Sequence, residues 1–313
     1  MLLQLAIGDA YGFCFEFAPK GFVALNNKGK NFVKHPGRNH VPGTYSDDTQ
    51  MSLASAEFLL SNQACTPLNL ARFFVNAFTR DPREGYAGRF HTLLTEISTP
   101  EEFLARIVPM SNRAGGAMRA SPYGLLSSAE EVRDMAMWQA SLTHATKAGM
   151  DSAAAAALMV WACRQECDPM GVAYFLNDMV PGYDWHEPWE GPVGNLGVEA
   201  VKAAVTALAT SDSLSEILVN SVAFTGDVDT VAAIAMAAAS FLPASMMKPD
   251  IHSNLYRGLE TGPYGWSYLK KLDAALMAEF VPPVAEPEVV EVAEVAVGTP
   301  DSDNLIADLF GSN

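Results

Sequence analysis

The sequence predicts an all-α fold: a compact, single-domain, multi-helix body with Ala-rich helices buried at its centre. Three observations point there. Residues 51–61, 151–163 and 231–242 are dense in Ala, Leu and Met, the side chains that lose least on entering a helix. Runs that alternate polar with β-branched residues are scarce, and the hairpin dipeptides Asn-Gly and Asp-Gly are absent. With 313 residues, 49% of them apolar, the chain can bury a core of ordinary size.

In chain order, the tract 51–61 follows Ser46-Asp47-Asp48, residue types that cap and begin helices. The tract 151–163 is apolar nearly all round, as a helix enclosed by its neighbours must be. Residues 201–208 and 214–222 repeat apolar side chains at helical spacing. The tract 231–242 follows a second acidic opening, Gly226-Asp227-Val228-Asp229-Thr230. After Phe280 the composition changes: residues 281–313 hold seven acidic side chains, four prolines and no basic residue. The expected organisation is a domain over 1–280 and an acidic, Pro-containing, disordered tail over 281–313. Near its end, Leu305, Ile306, Leu309 and Phe310 either form one side of a short helix that would dock on a partner or are chance apolar residues of a disordered end, the second being the preferred reading.

Charge and cysteine content narrow the function. The chain has 36 acidic and 20 basic side chains, a formal charge of −16. Such a field repels phosphate backbones and anionic lipid, which excludes generic nucleic-acid binding and membrane adhesion. Four cysteines, Cys14, Cys65, Cys163 and Cys167, are too few for a disulfide framework and lack the partners of a zinc site. The first residues have no basic flank and reach Asp9 too early for a secretory segment. A soluble, cytoplasmic monomer is expected.

The two acidic helix openings carry the chemistry. A cap needs one carboxylate, and Asp227 with Asp229 is one more than that. If the openings meet, Asp47, Asp48, Asp227 and Asp229 converge with the hydroxyls of Ser46 and Thr230. Four buried carboxylates must protonate or bind cations. An all-oxygen set suits Mg2+ or Mn2+, and two divalent ions would balance the four charges. Some 180 residues separate the openings, so spacing alone does not bring them together.

Five segments in one order carry a resemblance: Gly8-Asp9-Ala10-Tyr11-Gly12, Phe15-Glu16-Phe17, Ser46-Asp47-Asp48-Thr49-Gln50-Met51, Gly116-Ala117-Met118-Arg119 and Gly226-Asp227-Val228-Asp229-Thr230. With Asp81-Pro82-Arg83-Glu84-Gly85-Tyr86, they resemble the ADP-ribosylglycohydrolase family over about residues 1–275. The resemblance implies an all-α fold with a central binuclear Mg2+ site, Mn2+ being a substitute, and hydrolysis of the bond joining ADP-ribose to an acceptor. It implies Ser46, Asp47, Asp48, Asp227, Asp229 and Thr230 as metal ligands. Glu16 falls at the position of an active-site glutamate, and Glu16, Asp47 and Asp229 would be catalytic. Gly115, Gly116 and Met118 resemble a small-residue loop beside the ribose and phosphates, with His144 beside ADP-ribose and Tyr123 lining the pocket. Arg113-Ala114 stands where the family usually has Asn. Asp9 would hold the fold by hydrogen bonds or touch substrate. In the aromatic segment Pro181–Pro192, Tyr183, Trp185 and Trp189 would either stack on substrate or pack the loop.

The expected partner is ADP-ribose or an ADP-ribosylated protein side chain, base or small conjugate. Two other readings fit parts of the pattern: an inactive ADP-ribose-binding or structural relative, and a two-metal phosphohydrolase.

Overall fold

The Ala-rich tracts become the central helices of a body that is helical throughout. The computed structural model describes residues 1–281, so the expected tail lies, after its first residue, outside the described residues. The helices are α1 (Leu2–Phe13), α2 (Lys20–Asn26), α3 (Asp47–Leu60), α4 (Pro67–Arg80), α5 (Gly88–Glu96), α6 (Pro100–Arg106), α7 (Ala129–His144) and α8 (Lys147–Arg164). They continue with α9 (Pro169–Met179), α10 (Gly197–Ala209), α11 (Leu214–Ala223), α12 (Val228–Ala239), α13 (Ser253–Gly258) and α14 (Trp266–Phe280). Short 3-10 turns cover Ala114–Gly116 and Ser121–Leu125. Among the described residues there is no strand, and no helix is long and apolar enough to cross a membrane.

The expected tracts map onto α3, α8, α10, α11 and α12, although 51–61 and 231–242 run past the C-terminal ends of their helices, and at the N-terminal ends one difference is systematic. Helices α3 and α12 start several residues before their apolar tracts, so Asp47, Asp48 and Asp229 lie in first turns. Carboxylates there meet unpaired amides and the positive end of the helix dipole, which favours extending the helix through them. Helix α12 stops at Ala239, short of Pro243.

Every residue of α12 is buried, and α1, α8, α10 and α11 surround it. Alanine permits this crowding because it fills little volume and loses no rotamer freedom. The closest approach is to α1. A Cβ on Gly8 would stand 2.5 Å from the Ala232 carbonyl oxygen, and one on Gly12 would stand 2.7 Å from the Asp229 nitrogen. These glycines let the two backbones touch and set the start of α12 against α1. A second apolar cluster joins Met51, Ala54 and Phe58 of α3 to Leu70, Phe74 and Phe78 of α4 and to Phe103.

Gly12→Val should therefore be severe although Gly is the poorer helix former. Overpacking against an unyielding backbone is expected to cost about 3 kcal/mol, read as a lower urea midpoint. Gly21→Ala, in α2 with nothing within 4 Å of the added carbon, is the control and should hold the midpoint or raise it slightly. Equal midpoints for both variants would refute the close-packing argument.

Candidate active site

The two acidic openings meet against α1. Ser46 caps α3, its Oγ accepting from the Asp48 amide at 3.2 Å. Asp9 of α1 holds the same turn: its carboxylate accepts from the Ser46 amide (3.0 Å), the Thr49 amide (2.9 Å) and the Thr49 hydroxyl (2.5 Å). Of its two expected roles, Asp9 thus takes the positioning one in this structure.

At the other opening, Thr225 (φ 65°) and Gly226 (φ 94°) turn the chain sharply into α12. Only glycine fits the second position, because a Cβ would collide with the Val193 carbonyl. Val193 clamps the turn from both sides, donating to Thr225 O (2.8 Å) and accepting from Asp227 N (3.0 Å). Asp227 makes no capping hydrogen bond. Thr230 is buried in the first turn of α12, and its hydroxyl favours the ionised forms of both Asp48 and Asp227.

Glu16 arrives on the turn after α1, where the Phe17 amide donates to Gly226 O at 2.8 Å. Carboxylate oxygens of Glu16, Asp227 and Asp229 all lie within 4.8 Å of one another. The flanking phenylalanines, alike in sequence, diverge: Phe15 is fully buried, whereas Phe17, in a left-handed conformation, is 54% exposed.

Burial dominates the electrostatics. It pushes the carboxyls of Asp47, Asp48 and Asp229 well above the ordinary range, and neighbouring carboxylates push the same way. Asp227 rises to about 7, from burial and then the Glu16 charge, and Asp9 rises to about 6 from burial. The Asp48 Oδ2 and Asp229 Oδ1 atoms are buried with no hydrogen-bond partner. Orphaned anionic oxygens of this kind are costly unless a cation satisfies them. The donor set, carboxylates and hydroxyls only, fits a hard divalent cation.

Surrounding residues fix these side chains in place. The Asp47 amide donates to Glu84 O at 3.0 Å, and Gly85 (φ 107°) presses so closely on the Asp47 carboxylate that a Cβ would collide with it. Tyr86 donates to Gln50 Oε1 at 2.6 Å. Arg83 stacks 4.0 Å from the Tyr45 ring and pairs with Asp81 and Glu260. Of this support the sequence showed only the Asp81–Tyr86 segment as a motif; its contact with Asp47 depends on tertiary packing.

A second group of residues surrounds His144, the last residue of α7. Gly115 and Gly116 lie on its ring, so that a Cβ on either would approach it to 3.1–3.3 Å. Arg119 is 1% exposed and stacks 4.4 Å from the Phe74 ring. It donates to Gln139 Oε1 (2.8 Å) and Thr143 Oγ1 (2.7 Å), and Thr143 Oγ1 is 2.6 Å from His144 Nδ1. Arg119 uses one lone pair of Thr143 Oγ1, and the single proton shared between Thr143 and His144 Nδ1 completes the chain. Burial, helped by the Arg119 charge, lowers His144 to about 3, so the ring is neutral. Sequence reasoning found His144 and the glycines but not the Arg119–Thr143 chain behind them.

The other expected residues occupy different surroundings. Met118 packs in the second apolar cluster, and Tyr123 is fully buried in the main core. Trp185 is buried, its Nε1 donating to Val180 O at 2.7 Å, and the Tyr183 hydroxyl donates to Asp151 at 2.6 Å. Trp189 donates through its amide to Thr206 Oγ1 at 2.8 Å. In this structure the aromatic segment packs on the body and carries the backbone toward Val193.

Comparison with known proteins agrees with this geometry. The family model described as ADP-ribosylglycohydrolase matches residues 1–242. The chain is 32% identical over 127 residues to the ADP-ribosylhydrolase ARH3 of Mus musculus and of Homo sapiens, 37% of this chain and 34% of each relative. It is 32% identical over 124 residues to that of Danio rerio. The chain thus spans about a third of the length of the curated relatives it matches. A solved structure titled "ADP-ribosylglycohydrolase-related protein complex" superposes with a TM-score of 0.66 at 22% identity, covering 88% of this chain and 94% of that one. That likeness shows the shared fold. With the family model spanning most of the chain, the chain belongs to the ADP-ribosylglycohydrolase family.

Proposed function

We propose that this chain is a Mg2+-dependent hydrolase that cleaves the glycosidic bond between ADP-ribose and an acceptor, reversing ADP-ribosylation. The observation that carries this reading is the convergence of Glu16, Asp227 and Asp229, with orphaned oxygens on Asp48 and Asp229. Ser46, Asp47, Asp48, Asp227, Asp229 and Thr230 would hold two Mg2+, or Mn2+ in their place. Bound there, the ions supply Lewis-acid charge and orient the hydroxyls of the distal ribose. The chain's own groups do the rest. Glu16 Oε accepts a proton from the attacking water as positive charge develops at the anomeric carbon. The missing side chains at Gly115 and Gly116 let this loop pack against the ring of the neutral His144, which would stand beside the nucleotide. Asp9 and Gly85 hold the opening of α3 in place, so the carboxylates are preorganised. We place the enzyme in the cytoplasm, consistent with four unpaired thiols.

The test is product analysis on serine-linked, arginine-linked and small-molecule ADP-ribose conjugates, with Mg2+ or with EDTA. Free ADP-ribose, formed with Mg2+ and abolished by EDTA, is the expected product. AMP or inorganic phosphate would mean a phosphohydrolase, and no turnover of any conjugate would mean a binding protein; either result overturns the reading.

A further inference from the structure

Residues 27–46, between α2 and α3, contain Lys28, Lys30, Lys34 and Arg38 and no acidic side chain. Part of this connection folds back across the turn that carries Glu16. His35 Nε2 donates to the Glu16 backbone oxygen at 3.0 Å, while its Nδ1 accepts from the Gly37 amide at 3.0 Å. The Arg38 guanidinium pairs with the Glu16 carboxylate and lies 5.2 Å from the centre of the Phe13 ring. His40, buried, meets the same ring edge-on at 5.1 Å. Arg38 is therefore held by a built contact, with its side chain 31% exposed. Among the described residues no other ion pair reaches the acidic group of Glu16, Asp47, Asp48, Asp227 and Asp229.

The lone guanidinium stands at the carboxylate that shares a 4.8 Å cluster with Asp227 and Asp229. A divalent ion entering that cluster meets the Arg38 charge at short range, and any pull it exerts on the Glu16 carboxylate competes with the Arg38 ion pair. We infer that Arg38 is a positioning residue and internal counter-ion: it holds Glu16 until a divalent cation displaces it, and so sets the cation affinity of the site. The inference rests on the cation-dependent reading above.

Mn2+ titration of the full chain, by calorimetry or electron paramagnetic resonance, tests it without turnover. Arg38→Gln removes the competing charge and should tighten Mn2+ binding about tenfold, ~1.4 kcal/mol. Arg38→Lys keeps the charge and should stay within about threefold of the parent chain. In a Glu16→Gln background the gain from Arg38→Gln should shrink below about twofold, because the two residues then share no contact. A purely structural Arg38 would instead give weaker binding in both Arg38 variants. That result, an unchanged affinity in Arg38→Gln, or an undiminished gain in the Glu16→Gln background would overturn the inference. A parent chain that binds no Mn2+ would instead overturn the cation-dependent function.

Discussion

Asp229→Asn should lower ADP-ribosyl hydrolysis by at least about 10³-fold at saturating Mg2+, ~4 kcal/mol of barrier, while raising the melting temperature of the cation-free protein. Both effects come from one carboxylate. Asp229 is buried in the first turn of α12, with Oδ1 unpartnered and the charges of Glu16, Asp48 and Asp227 around it. Asparagine keeps the volume but removes the negative charge, so the site loses a proposed ligand and part of its attraction for a divalent ion. The same change relieves a buried like-charge contact that nothing offsets when the cation is absent. A purely structural aspartate would give the reverse stability effect, because its loss would leave partners unsatisfied. Turnover with Mg2+ and thermal unfolding in EDTA are the two measurements. Activity within tenfold of the parent chain would remove Asp229 from the mechanism, and a lower melting temperature in EDTA would refute the electrostatic account.

Much of the fold was legible because it follows from composition. The Ala-rich tract 151–163 lies within α8 and most of 231–242 within α12, and their all-round apolarity matched their burial. The six ligand candidates were legible from chemistry, since two carboxylates at one helix opening exceed what a cap needs. Their meeting was not legible without the family resemblance. It depends on Gly8 and Gly12 letting α1 touch α12, and on Asp9 reaching across to Ser46 and Thr49. Glycine is also the residue of turns, so these positions have no meaning until a partner helix is known. The 27–46 connection has no hydrophobic period and gave no signal, yet it delivers Arg38 to Glu16. Arg119 was visible only as part of a motif. Pattern does not foretell a fully buried guanidinium held by Gln139, Thr143 and an aromatic face.

The second large effect is a pH dependence that Mg2+ should cancel. A carboxyl whose folded-state affinity for protons is raised contributes no penalty below the unfolded value near 3.8. The penalty grows as pH rises, because the unfolded chain ionises first and the folded chain resists. Asp9 continues to destabilise up to about pH 6 and Asp227 up to about pH 7, while Asp47, Asp48 and Asp229 continue above that. Between pH 5 and 7 Asp227 alone contributes about 2 kcal/mol of lost stability. His144 works the other way. Held neutral, with its affinity lowered to about 3, it stabilises fully above the unfolded value of 6.5 and loses about 2 kcal/mol on descent to pH 5. One histidine against five carboxyls decides the sign. The cation-free protein should melt on the order of 10 °C lower at pH 8 than at pH 5. Millimolar Mg2+ binds the ionised folded site and not the unfolded chain, so it should restore most of that loss at pH 8 and add little at pH 5. Thermal unfolding at both pH values, with EDTA and with Mg2+, reads all four quantities. A melting temperature in EDTA that holds level or climbs from pH 5 to 8 would mean that the carboxylates are not held together uncompensated. An Mg2+ gain equal at both pH values would mean that the ion binds elsewhere.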